Sequence, residues 1–187
     1  MLFFLFSEDE LRQIFEDLGY EYTPATAAKT IDYYAARTTH GSTLSFVVHA
    51  YVLSRLDPQR SWDMFLTALE SDVSDVQGGT TAEGIHMGVM AGTLDLLQRG
   101  YLGTESSGDL LRFGPKEIER LSGLSMLIRF RDCVLKLALA GDSLTVLRVD
   151  DSPSSIRIGV GDTVRRVHAG QRHEFPLAVD PAADPIA

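Results

Sequence analysis

Two stretches of the sequence hold the residue types best suited to chemistry. The first, Thr38-Thr39-His40-Gly41-Ser42-Thr43-Leu44-Ser45, sets a glycine and two hydroxyls directly before an apolar run. The second, Gly78-Gly79-Thr80-Thr81-Ala82-Glu83-Gly84-Ile85-His86, is a glycine-rich turn followed by a carboxyl and an imidazole. In the first, Gly41 allows a tight turn, and Ser42 and Thr43 would present two hydroxyls and free amides at a helix N-terminus, a combination that suits a phosphate. The same residues also fit a plainer arrangement, with Ser42 capping the helix and Thr43 facing solvent. In the second, His86 is expected in the first turn of a helix, where it could donate to an anion or serve as a satisfied structural residue. Glu83 could act as an acid, a base or a sugar-hydroxyl ligand, and it fits equally well as a first-turn carboxylate favouring the helix dipole.

Other chemistries find no support. There is no Gly-x-Ser-x-Gly around Ser42 and no phosphate loop ending in Gly-Lys-Ser/Thr, and His40 and His49 lack a zinc spacing. Cleavage between sugars needs two carboxyl groups flanking the bond, and sequence spacing does not pair Asp72 or Asp75 with another. The formal net charge of -9 argues against a nucleic-acid or anionic-membrane partner, although a small anion could bind locally. The one cysteine, Cys133, cannot form a disulfide within the chain or a cysteine-based zinc site, and it reads as a reduced thiol buried in a strand. No motif calls for a cofactor or a metal. Met1-Leu2-Phe3-Phe4-Leu5-Phe6 lacks a basic flank and gives way at Ser7-Glu8-Asp9-Glu10, too short for a signal peptide or a membrane span. It reads as the end of a buried helix that begins elsewhere, in a cytoplasmic protein.

The elements that must position these residues change character near residue 104, which predicts an α+β chain. Up to 103 the pattern is helical. Ser7 and Glu10 form a capping box before Leu11, Ile14, Phe15 and Leu18, with Gly19 as the stop, and Thr23-Pro24 opens a second helix. The third, Thr43 to Leu56, is apolar nearly all round and should be buried. Asp57-Pro58 breaks the chain before a fourth helix, Ser61 to Val73, and a fifth runs from about Ala82 to Tyr101. The fifth sets Gly84, Gly88 and Gly92 on one stripe where another helix could approach closely. From 104 to 179 short apolar alternations, Leu124–Phe130, Val134–Leu139, Leu144–Val149, Ile156–Val160, Val164–His168 and Glu174–Leu177, predict a small antiparallel sheet or sandwich. Residues 180–187 have no periodicity and read as a disordered tail.

Tyr33-Tyr34, Arg37 through Ser45, Gly79 through His86 and Met90-Ala91-Gly92-Thr93 together resemble glycoside hydrolase family 65, the trehalose, maltose, kojibiose and nigerose phosphorylases and related hydrolases. The resemblance covers nearly the whole chain. It implies that the helices belong to an (α/α)6 barrel of the six-hairpin kind, incomplete here, followed by the family's small β domain. It also implies that Ser42, Thr43 and His86 contact inorganic phosphate, with Glu83, Gly41 and His40 as candidate substrate contacts. Many members have two serines where this chain has Ser42-Thr43, and threonine keeps the hydroxyl. In such enzymes phosphate attacks the anomeric carbon with inversion while a glutamic acid protonates the leaving sugar. That acid falls upstream of the matching region, so the resemblance gives this chain no catalytic residue. A chain of this kind would be inactive alone and would rely on an upstream half or on self-association. Two alternatives stay open: a hydrolase of the same family, for which Glu83 would be the base to watch, and a non-catalytic sugar- or phosphate-binding remnant or assembly subunit.

Overall fold

The computed structural model describes residues 2–79, 82 and 84–177. It divides between Gly100 and Tyr101 into two compact units. In the first, short α1 (Leu2–Leu5) precedes α2 (Glu8–Asp17). The capping box that opens α2 forms as its sequence implies: Ser7 Oγ accepts from the Glu10 N–H at 3.3 Å, and Glu10 Oε2 accepts from the Ser7 N–H at 2.7 Å. Thr23 caps α3 (Pro24–Ala35) through the Thr26 N–H at 3.1 Å. In α4 (Leu44–Leu53), Val47, Ala50, Tyr51 and Leu53 are buried, whereas Leu44 is 46% exposed. The apolar helix is therefore covered on one side only.

Two helix starts differ from the sequence reading. The fourth helix begins at Pro58, as α5 (Pro58–Glu70), because Asp57 caps it by accepting from the Arg60 N–H at 3.0 Å. The aspartate-proline pair both ends one helix and starts the next. The fifth begins at Met87, as α6 (Met87–Asp95), and passes into a π-helical turn at Leu96–Tyr101. Gly84 lies ahead of it with φ +114°, a conformation that no helix contains.

Small side chains set the helix packing. Ser61 Oγ of α5 donates to the Ala50 carbonyl of α4 at 2.6 Å, and Ala50 and Ala68 are fully buried. Of the glycine stripe, only Gly92 makes the close approach expected of it. A Cβ there would lie 2.6 Å from Val47 Cγ1, whereas Gly84 and Gly88 would meet nothing within 4 Å. Gly92 faces Val47 in the first turn of α4, and Gly100 faces Tyr51 and Ser54 further along it. α4 and α6 therefore run parallel, with their N-termini at the same end.

The second unit holds two four-stranded sheets. One has the order β1 (Glu105–Ser107), β2 (Leu110–Phe113), β6 (Ile156–Val160), β7 (Thr163–Val167), and the other β3 (Gly123–Phe130), β4 (Cys133–Ala140), β5 (Ser143–Arg148), β8 (Arg172–Pro176). Leu111, Ile158 and Val160 from one sheet and Leu135, Leu144 and Phe175 from the other share a single apolar core. Sequence patterning missed β1 and β2. The antiparallel expectation also fails at one pair, since β2 and β6 are parallel, with Leu111 opposite Ile158. The chain leaves β2 for the other sheet and returns at β6, and that long crossover permits parallel pairing. Cys133 is buried in β4. Fully buried Arg148 donates to Asp150 at 2.8 Å and to the carbonyls of Ser152, Ser154 and Val167, which closes the loop after β5. The stretch read as a disordered tail lies outside the described residues.

Candidate functional site

The first segment follows α3. Arg37 lies over the Tyr33 ring at 3.7 Å and donates to the Tyr33 carbonyl at 3.0 Å. The tight turn falls at His40, φ 45°, and not at Gly41 as the glycine suggested. Ser45 Oγ donates to the Ser42 carbonyl at 2.7 Å, which commits its only proton. His40 Nδ1, 2.9 Å from the same oxygen, is then the donor to it. The His40 ring stacks on Phe46 at 4.6 Å and meets His49 edge-on at 4.9 Å. Burial, and then the neighbouring His40, lower the basicity of His49.

Three amides at the start of α4 are already engaged. Leu44 N–H donates to Ser42 Oγ at 3.3 Å, Ser45 N–H to the Ser42 carbonyl at 2.9 Å and Phe46 N–H to the Thr43 carbonyl at 3.1 Å. The N–H groups of Ser42 and Thr43 have no partner among the described residues, so the segment offers hydroxyls together with the free amides that the sequence suggested. Ser42 is exposed. Thr43, expected either to present its hydroxyl or to face solvent, is only 3% exposed, and it has no hydrogen-bond partner for that hydroxyl among the described residues. The hydroxyl oxygen itself is not among the buried unpaired atoms, so it keeps some solvent access together with unused bonding capacity.

The second segment begins after α5. Asp75 accepts from the Gly79 N–H at 2.8 Å, and Gly78 and Gly79 take φ values of +69° and +112°, so the glycine-rich turn is a true left-handed one. Gln77 Nε2 donates to the His40 carbonyl at 3.0 Å and joins the two segments directly. Thr80, Thr81 and Glu83 lie outside the described residues. His86 stands at the N-cap of α6 and not within its first turn. Its backbone N–H donates to Asp72 Oδ2 at 2.9 Å, and its Nδ1 meets Asp72 Oδ1 at 2.5 Å. The hydrogen bond from His86 is the main cause that lowers the pKa of Asp72, so this carboxylate stays ionised.

The two segments therefore meet at one end of parallel α4 and α6, with the Ser42 and Thr43 hydroxyls opening one helix and the His86 imidazole opening the other. Sequence reasoning had noted Asp72 only as an upstream carboxylate, and Gln77 and Ser45 not at all as site-building residues. Asp72 lies 14 residues from His86, a separation with no helical or strand period to reveal it. Among the described residues no three His, Cys, Asp or Glu side chains converge as metal ligands would. Nor is any described helix long and apolar enough to cross a membrane.

Residues 1–95 match the glycosyl hydrolase family 65 central catalytic domain, and the chain belongs to that family. It is 42% identical over 174 residues to an uncharacterized glycosyl hydrolase of Mycobacterium tuberculosis, a match that covers 93% of this chain and 13% of that protein. It is 34% identical over 170 residues to the trehalose 6-phosphate phosphorylase of Lactococcus lactis subsp. lactis, covering 86% of this chain and 22% of that protein. A solved structure described as a kojibiose phosphorylase from the human microbiome superposes with a TM-score of 0.70 at 21% identity, over 83% of this chain and 20% of that one, a likeness of fold. The chain thus spans less than a quarter of the length of each of these relatives.

Proposed function

We propose that this chain forms the phosphate-contacting side of an inverting phosphorylase acting on an α-linked disaccharide, with Ser42, Thr43 and His86 meeting inorganic phosphate. The observation that carries the reading is the meeting of two motifs at one end of parallel α4 and α6. It sets the Thr43 hydroxyl, without a partner among the described residues, on one helix start and an aspartate-held imidazole on the other. Such groups suit a small anion that must be gripped by hydroxyl and imidazole donors without a strongly basic surface. Gly41 and His40 shape the backbone beside the pair, and Glu83 remains a candidate sugar contact in this reading. The general acid that protonates the leaving sugar comes from outside these residues, so the chain alone turns nothing over. Its helices would belong to an (α/α)6 barrel completed by others. An apolar groove of about 360 Å³ lined by Leu2, Phe3, Ile31, Tyr34, Val48 and Val52 supports further helices packing on this unit.

The test is kinetic. The chain alone, given phosphate with trehalose, trehalose 6-phosphate, maltose, kojibiose or nigerose, should release no glucose 1-phosphate. Joined to the remainder of a family 65 catalytic domain, it should support phosphorolysis, with Ser42→Ala or His86→Ala raising KM for phosphate much more than KM for the sugar. Turnover by the chain alone would refute the division of the site, and equal losses for both substrates would refute the assignment of these residues to phosphate.

A further inference from the structure

Among the described residues the His86 ring is held through Nδ1 alone, and that determines which of its nitrogens can do chemistry. Asp72 accepts from both the His86 backbone N–H, at 2.9 Å, and His86 Nδ1, at 2.5 Å, so the carboxylate fixes the first residue of the α6 cap and the plane of its ring together. Asp72 is itself rigidly placed. It follows Ser71, buried at the C-terminal end of α5, and the next turn is closed by the Val73 and Ser74 N–H groups donating to the Glu70 carbonyl at 2.9 and 2.8 Å. The buried face of α5, with Trp62, Phe65 and Ala68, anchors that turn. The Asp72 side chain is 12% exposed and that of His86 29%, so the ring keeps an open edge while its carboxylate partner is largely covered.

We propose that Asp72 is a positioning residue for His86: by holding the backbone N–H and Nδ1–H together, it commits Nδ1 to the protein and presents Nε2 to the ligand. With Nδ1–H so engaged, Nε2 can accept from a P–O–H when the ring is neutral and donate to a P–O⁻ when it is protonated. One fixed geometry then serves both ionic forms of inorganic phosphate. A carboxylate that orients an imidazole through Nδ1 is a general device for choosing the tautomer that works. The inference rests on the phosphate reading for the identity of the ligand, and on the geometry alone for the state of the ring.

The experiment is side-chain nitrogen NMR on the whole chain labelled with ¹⁵N at histidine, with the His86 signals identified by their loss in His86→Gln. In the wild-type chain the neutral His86 ring is expected to carry its proton on Nδ1. In Asp72→Ala that preference is lost, while the His40 and His49 signals, which report an intact helical unit, stay in place. A wild-type ring protonated on Nε2 overturns the proposal without any variant, and so does an Asp72→Ala ring still protonated on Nδ1. Inorganic phosphate is then added as the probe. The expected response is a shift at Nε2 larger than at Nδ1 in the wild type, weakened several-fold in Asp72→Ala. A larger response at Nδ1 overturns the positioning. No response at either nitrogen, with the proton on Nδ1 as expected, supports the positioning and defeats the phosphate reading instead.

Discussion

Gly92→Ala probes the contact that brings the two site segments to one end. The added Cβ would sit 2.6 Å from Val47 Cγ1, 3.1 Å from Cγ2 and 3.4 Å from Cβ. Carbon atoms prefer a separation of about 3.5–4.0 Å, so α4 and α6 must part by roughly 1 Å or Val47 must turn. Val47 is β-branched and strongly restricted in a helix, and it is 2% exposed, so turning is not a cheap escape. Overpacking of this kind costs about 1–3 kcal/mol, against a helix-propensity gain of about 1 kcal/mol for replacing glycine. The net expectation is destabilisation by about 1 kcal/mol. Val47→Ala removes two buried methyl groups and should cost about 1.6 kcal/mol from transfer alone, at about 0.8 kcal/mol each, with a cavity term added. In that background the clash is gone, and Gly92→Ala should stabilise by up to about 1 kcal/mol. The two changes should therefore couple by about 2 kcal/mol. The assay is urea unfolding followed by fluorescence of Trp62, the single tryptophan of the chain, which lies in α5 and reports the helical unit. Additivity within about 0.5 kcal/mol would refute the contact and, with it, the parallel placement of the two helix starts.

Two further outcomes concern the strand unit. The Arg148 guanidinium, assisted by the N–H groups of Val134 and Ser152, holds the Asp150 carboxyl well below the usual carboxylate range. The unfolded chain, with an aspartate pKa of about 3.9, binds that proton first as pH falls, so the stabilisation is complete above this value and lost on acidification toward the folded pKa. Thermal melting by circular dichroism should show stability falling with acidity below about pH 4, and less steeply in Asp150→Asn; equal slopes would contradict the pairing. Asp72 and Asp109, lowered by His86 and Arg157, act in the same direction, so the slope should shrink and not vanish. Gly103→Ala should destabilise this unit by about 2–4 kcal/mol, because a left-handed backbone is costly for alanine and because the shift breaks hydrogen bonds. At φ +61° its Cβ would meet the Gly114 carbonyl oxygen at 2.3 Å, where Gly114 N–H also donates to the carbonyls of Leu102 and Gly103. A urea midpoint unchanged from the wild type would show that this loop is free to move aside.

The parts of the fold that could be read from the sequence are those that local chemistry determines. Ser7 with Glu10 and Thr23 with Pro24 announce their helices because capping involves residues three or four apart. Six of the strands are visible because apolar residues recur along them, even in β7, where only Val167 reaches the core. β1 is invisible because Glu105, Ser106 and Ser107 are all exposed, and the parallel β2–β6 pair depends on a crossover that no local pattern encodes. The start of α6 was misplaced for the same kind of reason: residues 84–86 could have continued a helix by pattern, but Asp72, distant in sequence, takes the His86 N–H. At the site, the residue types were legible, namely two hydroxyls and an imidazole beside glycines. Their environment was not. That Thr43 is covered, that Leu44, Ser45 and Phe46 have spent their amides, and that His86 has a carboxylate partner are all consequences of how α4, α5 and α6 pack.

The central claim, that Ser42, Thr43 and His86 form one phosphate-contacting surface, is tested most directly by titrating the chain with inorganic phosphate while following backbone amide NMR signals. Half a site is expected to bind weakly, on the order of millimolar, an affinity that such a titration still resolves. The signals of Ser42 to Leu44 and of His86 and Met87 should move together along one binding curve. Thr43→Val, which keeps the shape and removes the hydroxyl, should abolish the response at both helix starts. Independent curves at the two starts, or a response untouched by Thr43→Val, would contradict the claim.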